Sequence, residues 1–136
     1  MKSYAPVIFV LLAATVFGFW HRFNSGRIKG GKEHGNRLTE KELKHPMGSR
    51  VTLLQFSSAF CTPCRATKIL IRNVIEDMPD VAHIEMDAES HLDLVNQLSV
   101  KSTPTTIILN SKGIEVGRAV GAPSSAQIRA AIEAVK

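Results

Sequence analysis

Phe60-Cys61-Thr62-Pro63-Cys64-Arg65 holds the only two cysteines of the chain and sits where one kind of local structure gives way to another. Upstream, Val51 to Phe56 is a short β-prone run; downstream, Ala66, Ile69, Leu70, Asn73 and Val74 recur at helical spacing. This pattern predicts a strand that turns directly into a helix, with the cysteine pair at the helix N-terminus. Unpaired backbone N–H groups and the positive end of the macrodipole favour a thiolate there, which lowers the pKa of the first cysteine. Cys61 is the candidate nucleophile. Cys64, one turn deeper, is the candidate resolving thiol, placed to attack the mixed disulfide formed by Cys61. A structural disulfide is the plainer alternative, but so short a spacer closes a tiny loop and constrains the unfolded chain little. A zinc site needs about four ligands. There is no second cysteine pair, and the histidines at 21, 34, 45, 83 and 91 show no ligand spacing, so no metal is expected.

The rest of the chain divides around this motif. Tyr4 to Trp20 is uncharged and almost wholly apolar, at the lower limit of length for a bilayer span, with aromatic residues at both ends. Residues 1–20 therefore read as a membrane anchor. A cleaved signal peptide is the alternative, but bulky residues from Val16 to Phe23 crowd the place where a peptidase needs small ones. Residues 21–38 read as a flexible linker rich in Gly and basic residues, with Arg22, Arg27, Lys29, Lys32 and Arg37 against the single acid Glu33. This segment supplies most of the formal net charge of +5. Attraction to anionic lipid headgroups accounts for such a stretch, so no nucleic-acid partner is expected. Positive charge beside a membrane helix also favours a single-pass topology with the following domain in the cytoplasm, although an extracytoplasmic domain stays open because a reactive cysteine pair serves in either compartment.

Residues 39–136 read as one domain. Thr39 and Glu42 form a capping-box pattern that opens a short helix before Pro46. Val51 to Ser57 is a strand, Thr62 to Met78 a helix, Ala82 to Asp87 a strand and His91 to Leu98 a helix. Thr105 to Leu109 and Ile114 to Ala119 are strands joined by the turn Asn110-Ser111-Lys112-Gly113. Ser124 and Gln127 cap a last helix whose Ile128, Ala131, Ile132 and Val135 face inward. The order predicts an α/β domain, a four-stranded mixed sheet with helices on both faces, preceded by one N-terminal transmembrane helix.

These residues resemble the thioredoxin family. The resemblance is carried by the Cys61/Cys64 motif after a strand, Met86-Asp87 ending the next strand, Ser102-Thr103-Pro104-Thr105, and Val120-Gly121 after the hairpin. As a whole the chain looks like a bacterial membrane-anchored thioredoxin-like protein. The resemblance implies thiol–disulfide exchange without a dissociable cofactor, acting on protein disulfides and served by an electron-donating reductase or another thioredoxin. It also implies a cis bond before Pro104, and a substrate-binding surface made of Phe60, Thr62, Pro63, Thr103, Pro104 and Gly121. A membrane-tethered interaction module or thiol sensor is the non-enzymatic alternative.

Two departures from the family pattern bear on mechanism. Phe60 and Thr62 stand where thioredoxins usually have Trp and Gly, which leaves the redox potential unassigned. The family's buried aspartate aligns with Gln55 and its lysine partner with His83. Glutamine cannot take a proton, so Gln55 and His83 are expected either as a proton-transfer pair for Cys64, with His83 the base, or as a hydrogen-bonded pair beneath the site.

Overall fold

The computed structural model describes residues 3–24, 28–30 and 37–136. Helix α1 runs over Ala5–Asn24, and none of Ala5–Phe23 is buried. It is long and apolar enough to cross a membrane. The domain that follows contains β1 (Ile28–Gly30), α2 (Glu40–Leu43), β2 (Val51–Ser57), α3 (Thr62–Ile75), β3 (Val81–Asp87), α4 (Leu92–Gln97), β4 (Thr105–Asn110), β5 (Glu115–Val120) and α5 (Ser125–Ala134).

The four expected strands form the mixed sheet. β2 lies parallel to β3 and antiparallel to β4, and β5 is antiparallel to β4. β2 is buried along its whole length, as its near-continuous apolar sequence requires of a central strand. Both capping boxes form: the Thr39 and Ser124 hydroxyls accept from the N–H groups of Glu42 and Gln127, whose side chains accept in return. The sheet separates two cores. Leu54, Phe56, Ile84, Met86, Ile107 and Leu109 pack beneath Leu43 of α2 and Leu94 of α4. Val51, Leu53, Val81 and Ile108 pack beneath Ile71 and Val74 of α3 and Ile128 and Ile132 of α5.

The segment expected as a flexible linker is partly built into the domain. Ile28–Gly30 pairs antiparallel with Ala119, Arg118 and Gly117, so among the described residues the sheet has five strands in the order β1-β5-β4-β2-β3. Leu38 is buried in the core. Its N–H donates to the Gly113 carbonyl at 2.9 Å. Gly113 has φ +76°, and a Cβ there would lie 2.0 Å from the Leu38 carbonyl oxygen, so the hairpin turn and the incoming chain fit only with glycine at this position.

The helix expected after the cysteine pair forms as α3, and the structure sets which of its faces is buried. Its buried face is Cys64, Thr67, Ile71 and Val74, whereas Ala66, Ile69 and Asn73 are exposed. The inner face starts from Cys64, whose carbonyl is held by Gln55, and runs at three- and four-residue steps through Thr67 and Ile71 to Val74.

Candidate active site

Cys61 occupies the N-cap of α3 with extended backbone, and its sulfur accepts the Cys64 N–H at 3.2 Å. The two cysteines are joined as a disulfide. Cys64 is buried at 2% exposure, whereas Cys61 is only partly covered and its neighbour Phe60 stands free in solvent. The asymmetry follows from helix geometry: the cap residue looks outward along the axis, and the residue one turn on faces the sheet. A partner approaching from solvent meets Cys61 first.

The bond between Thr103 and Pro104 is cis. Pro104 accepts the Gly121 N–H at 2.8 Å, and Gly121 has φ 90°, a conformation that favours glycine. The Ser58 and Thr103 hydroxyls lie 3.2 Å apart, which ties the loop before Cys61 to the loop before Pro104. Arg118 braces the start of the latter loop: its Nη2 donates both to the Leu98 carbonyl at 2.9 Å and to Glu115 Oε2 at 2.8 Å, and its Nε donates to Glu115 Oε1 at 2.6 Å. Thr62 and Pro63 are exposed on the first turn of α3, and Thr103 and Gly121 are partly exposed. Val120, 50% exposed, adds an apolar contact beside them.

Gln55 and His83 are brought together beneath the cysteines. Gln55 is fully buried, and its amide nitrogen donates to the Cys64 carbonyl at 2.9 Å and to the Ser57 hydroxyl at 3.2 Å. A carbonyl only accepts, so this bond fixes the amide orientation and leaves Oε1 as acceptor. Nε2 of His83, 3.0 Å from that oxygen, must then carry the proton and donate. Burial lowers the His83 pKa from 6.5 to about 4; Glu85 raises it, and Arg72 and Lys68 reinforce the lowering. The imidazole is neutral near pH 7 and its Gln55-facing nitrogen already holds a proton. Of the two expected arrangements, the contact seen is the hydrogen-bonded pair beneath the site, joined through Gln55 to the Cys64 main chain.

A pocket of about 510 Å³ opens beside the disulfide, lined by Ser57, Ser58, Ala59, Cys61, Cys64, Arg65, Lys68, Glu85 and Asp87. Two carboxylates reach it. Asp87 accepts from the Ser90 hydroxyl at 2.6 Å and the Glu89 N–H at 3.2 Å, which hold its carboxyl below the usual range. Glu85 pairs with the Lys68 ammonium. Glu85 was missed in the sequence, yet strand alternation places it on the face of His83, and parallel pairing sets it directly opposite Gln55. The position lost as an acid on β2 has an acid beside it on β3.

Residues 36–134 match the thioredoxin family. Thioredoxin-2 of Saccharomyces cerevisiae is 32% identical over 74% of this chain and 88% of its own length. A thioredoxin of Ophiophagus hannah is 34% identical over 43% of this chain and 55% of its own length, so the chain spans about half of some curated relatives it matches. Among solved structures, thioredoxin of Fasciola hepatica superposes with a TM-score of 0.58 at 24% identity, covering 71% of this chain and 88% of that one. NaTrxh of Nicotiana alata gives 0.58 at 23% identity, covering 65% and 76%. The strand-to-helix cysteine pair, the cis bond before Pro104 and the match over residues 36–134 agree: this chain belongs to the thioredoxin family.

Proposed function

We propose that the protein is a thiol–disulfide oxidoreductase of the bacterial membrane-anchored kind, held by residues 4–20 and reducing disulfides of partner proteins. The observation that carries this reading is the position of Cys61, solvent-accessible on the N-cap of α3, with Cys64 buried behind it. In the reduced protein the Cys61 thiolate attacks a partner disulfide, and one partner sulfur leaves as a thiolate. The Cys64 proton passes to Glu85 across their shared pocket. The Cys64 thiolate then attacks the Cys61 sulfur, and the second partner sulfur leaves. The product is the Cys61–Cys64 disulfide, and two electrons from a reductase or another thioredoxin restore the dithiol. Thr103 and Pro104 present backbone to an extended partner segment, with Phe60, Thr62, Pro63 and Gly121 forming the rest of the contact surface.

The basic residues after α1 favour a single-pass orientation with the domain in the cytoplasm. Cys64→Ser should trap partners as mixed disulfides, whereas Cys61→Ser should not; equal trapping by both would overturn the division of labour. The full chain should stay in the membrane fraction in 1 M salt, because screening acts on charge within about 3 Å at that strength and leaves an apolar span in place. Release by salt alone would refute the anchor.

A further inference from the structure

The strand that joins the domain from α1 enters the sheet at its reactive end. β5 runs parallel to β2, so the end of β5 at Val120 lies beside the end of β2 that leads into Cys61. β1 is antiparallel to β5, and its first residue, Ile28, pairs with Ala119. Across the sheet Ala119 pairs with Thr106 and Thr106 with Gln55, whose amide holds the Cys64 carbonyl. Ile28 is therefore three strand spacings, about 14 Å, from the strand beneath the disulfide. Only residues 25–27 separate Ile28 from Asn24, the last residue of α1. Even fully extended, that connection spans at most about 14 Å. The reactive end of the sheet stays within about 30 Å of the end of α1.

We propose that the preferred substrate is a disulfide in the part of a membrane protein that lies against the bilayer surface. This rests on the reading of the chain as a membrane-tethered oxidoreductase. Pairing of β1 with β5 converts the apparent linker into a leash of three residues, attached at the end of the sheet where β5 reaches Val120 and β2 leads into Cys61. A leash joined at the opposite end of the sheet would turn the surface around Cys61 away from the membrane. Here the attachment keeps it beside the membrane, and a partner disulfide held far above the bilayer lies outside its range. Arg22 precedes the leash and Arg27 belongs to it, and both draw it toward anionic headgroups.

The test uses the full chain in vesicles containing anionic lipid, with transmembrane peptides that carry one disulfide loop either at the membrane surface or on a rigid helical spacer about 60 Å long. Three proteins are compared after reduction: wild type, one with a 20-residue Gly/Ser insert between Asn24 and Ile28, and one with the same insert between Gly31 and Gly35. Wild type should reduce the surface disulfide at least tenfold faster than the distant one. The insert before β1 should shrink that preference below about threefold, and the insert after β1 should leave it unchanged, because β1 still holds the short leash. Equal wild-type rates on the two peptides, or equal effects of the two inserts, would overturn the inference. Reduction of soluble insulin should be the same for all three proteins. If none reduces insulin, the oxidoreductase reading falls and this inference with it; normal insulin reduction with no near–far preference overturns this inference alone.

Discussion

Replacing His83 by Gln should remove part of the acid sensitivity of the fold. The imidazole is half-buried under α3 and titrates at about 4 instead of 6.5, so between those values the unfolded chain binds a proton that the native state refuses. Stability therefore falls as pH falls through this window, and is fully present above the ordinary histidine value. At pH 5 the ratio of the two binding terms is about 30, or about 2 kcal/mol at full strength; screening of the partly exposed ring brings this to about 1 kcal/mol. Glutamine keeps a donor for Gln55 Oε1 and does not titrate. The only tryptophan and tyrosine, Trp20 and Tyr4, lie outside the folded domain, so denaturant unfolding is best followed by far-UV circular dichroism at pH 7 and pH 5. Other titrating groups are common to both proteins and cancel in the comparison. Wild type should lose about 1 kcal/mol more than His83→Gln over this interval. An equal loss in both proteins would refute a buried neutral imidazole.

Glu85→Gln should slow the second thiolate release from a small aromatic disulfide reagent about tenfold near pH 7, at the low side of general-base effects because solvent remains a substitute, while the first release at Cys61 is unchanged. The deficit should fade above about pH 9, and Glu85→Asp should retain most of the rate; a wild-type second step in Glu85→Gln, or a deficit constant with pH, would exclude Glu85 as proton acceptor. Gly113→Ala should cost about 2 kcal/mol or more by denaturant titration, since it combines an unfavourable φ with a clash against the Leu38 main chain; a loss under about 0.5 kcal/mol would show that the turn and the incoming strand are not rigidly joined.

The parts of the fold legible in the sequence are those written by local chemistry. β2 has the bounds that its apolar run indicates, both capping boxes close, and the hairpin turns at Asn110 to Gly113. What escaped is set by distant neighbours. Ile28-Lys29-Gly30 has neither length nor alternation to announce a strand; the open edge of β5 supplies its order. The inward face of α3 is likewise not set by apolarity alone, since Ile69 is apolar yet 56% exposed, whereas Thr67 and Cys64 are buried. At the site, the cysteines and Pro104 are visible as motif residues. The meaning of Gln55, His83 and Glu85 depends on which side-chain atoms meet across two strands, and no spacing in the chain records that.

The fifth strand also bears on how the domain behaves once separated from α1. Cutting the chain at Thr39, where the first capping box invites a boundary, removes β1 and Leu38 together. The main-chain groups of Gly117 to Ala119 then lose their neighbour, and Ile28 no longer covers the apolar ground between β5 and α5. An uncovered edge of that kind recruits strands from other molecules. A fragment beginning at Ile28 should stay monomeric at concentrations where one beginning at Thr39 self-associates, which makes those few residues a guard against aggregation as well as a tether.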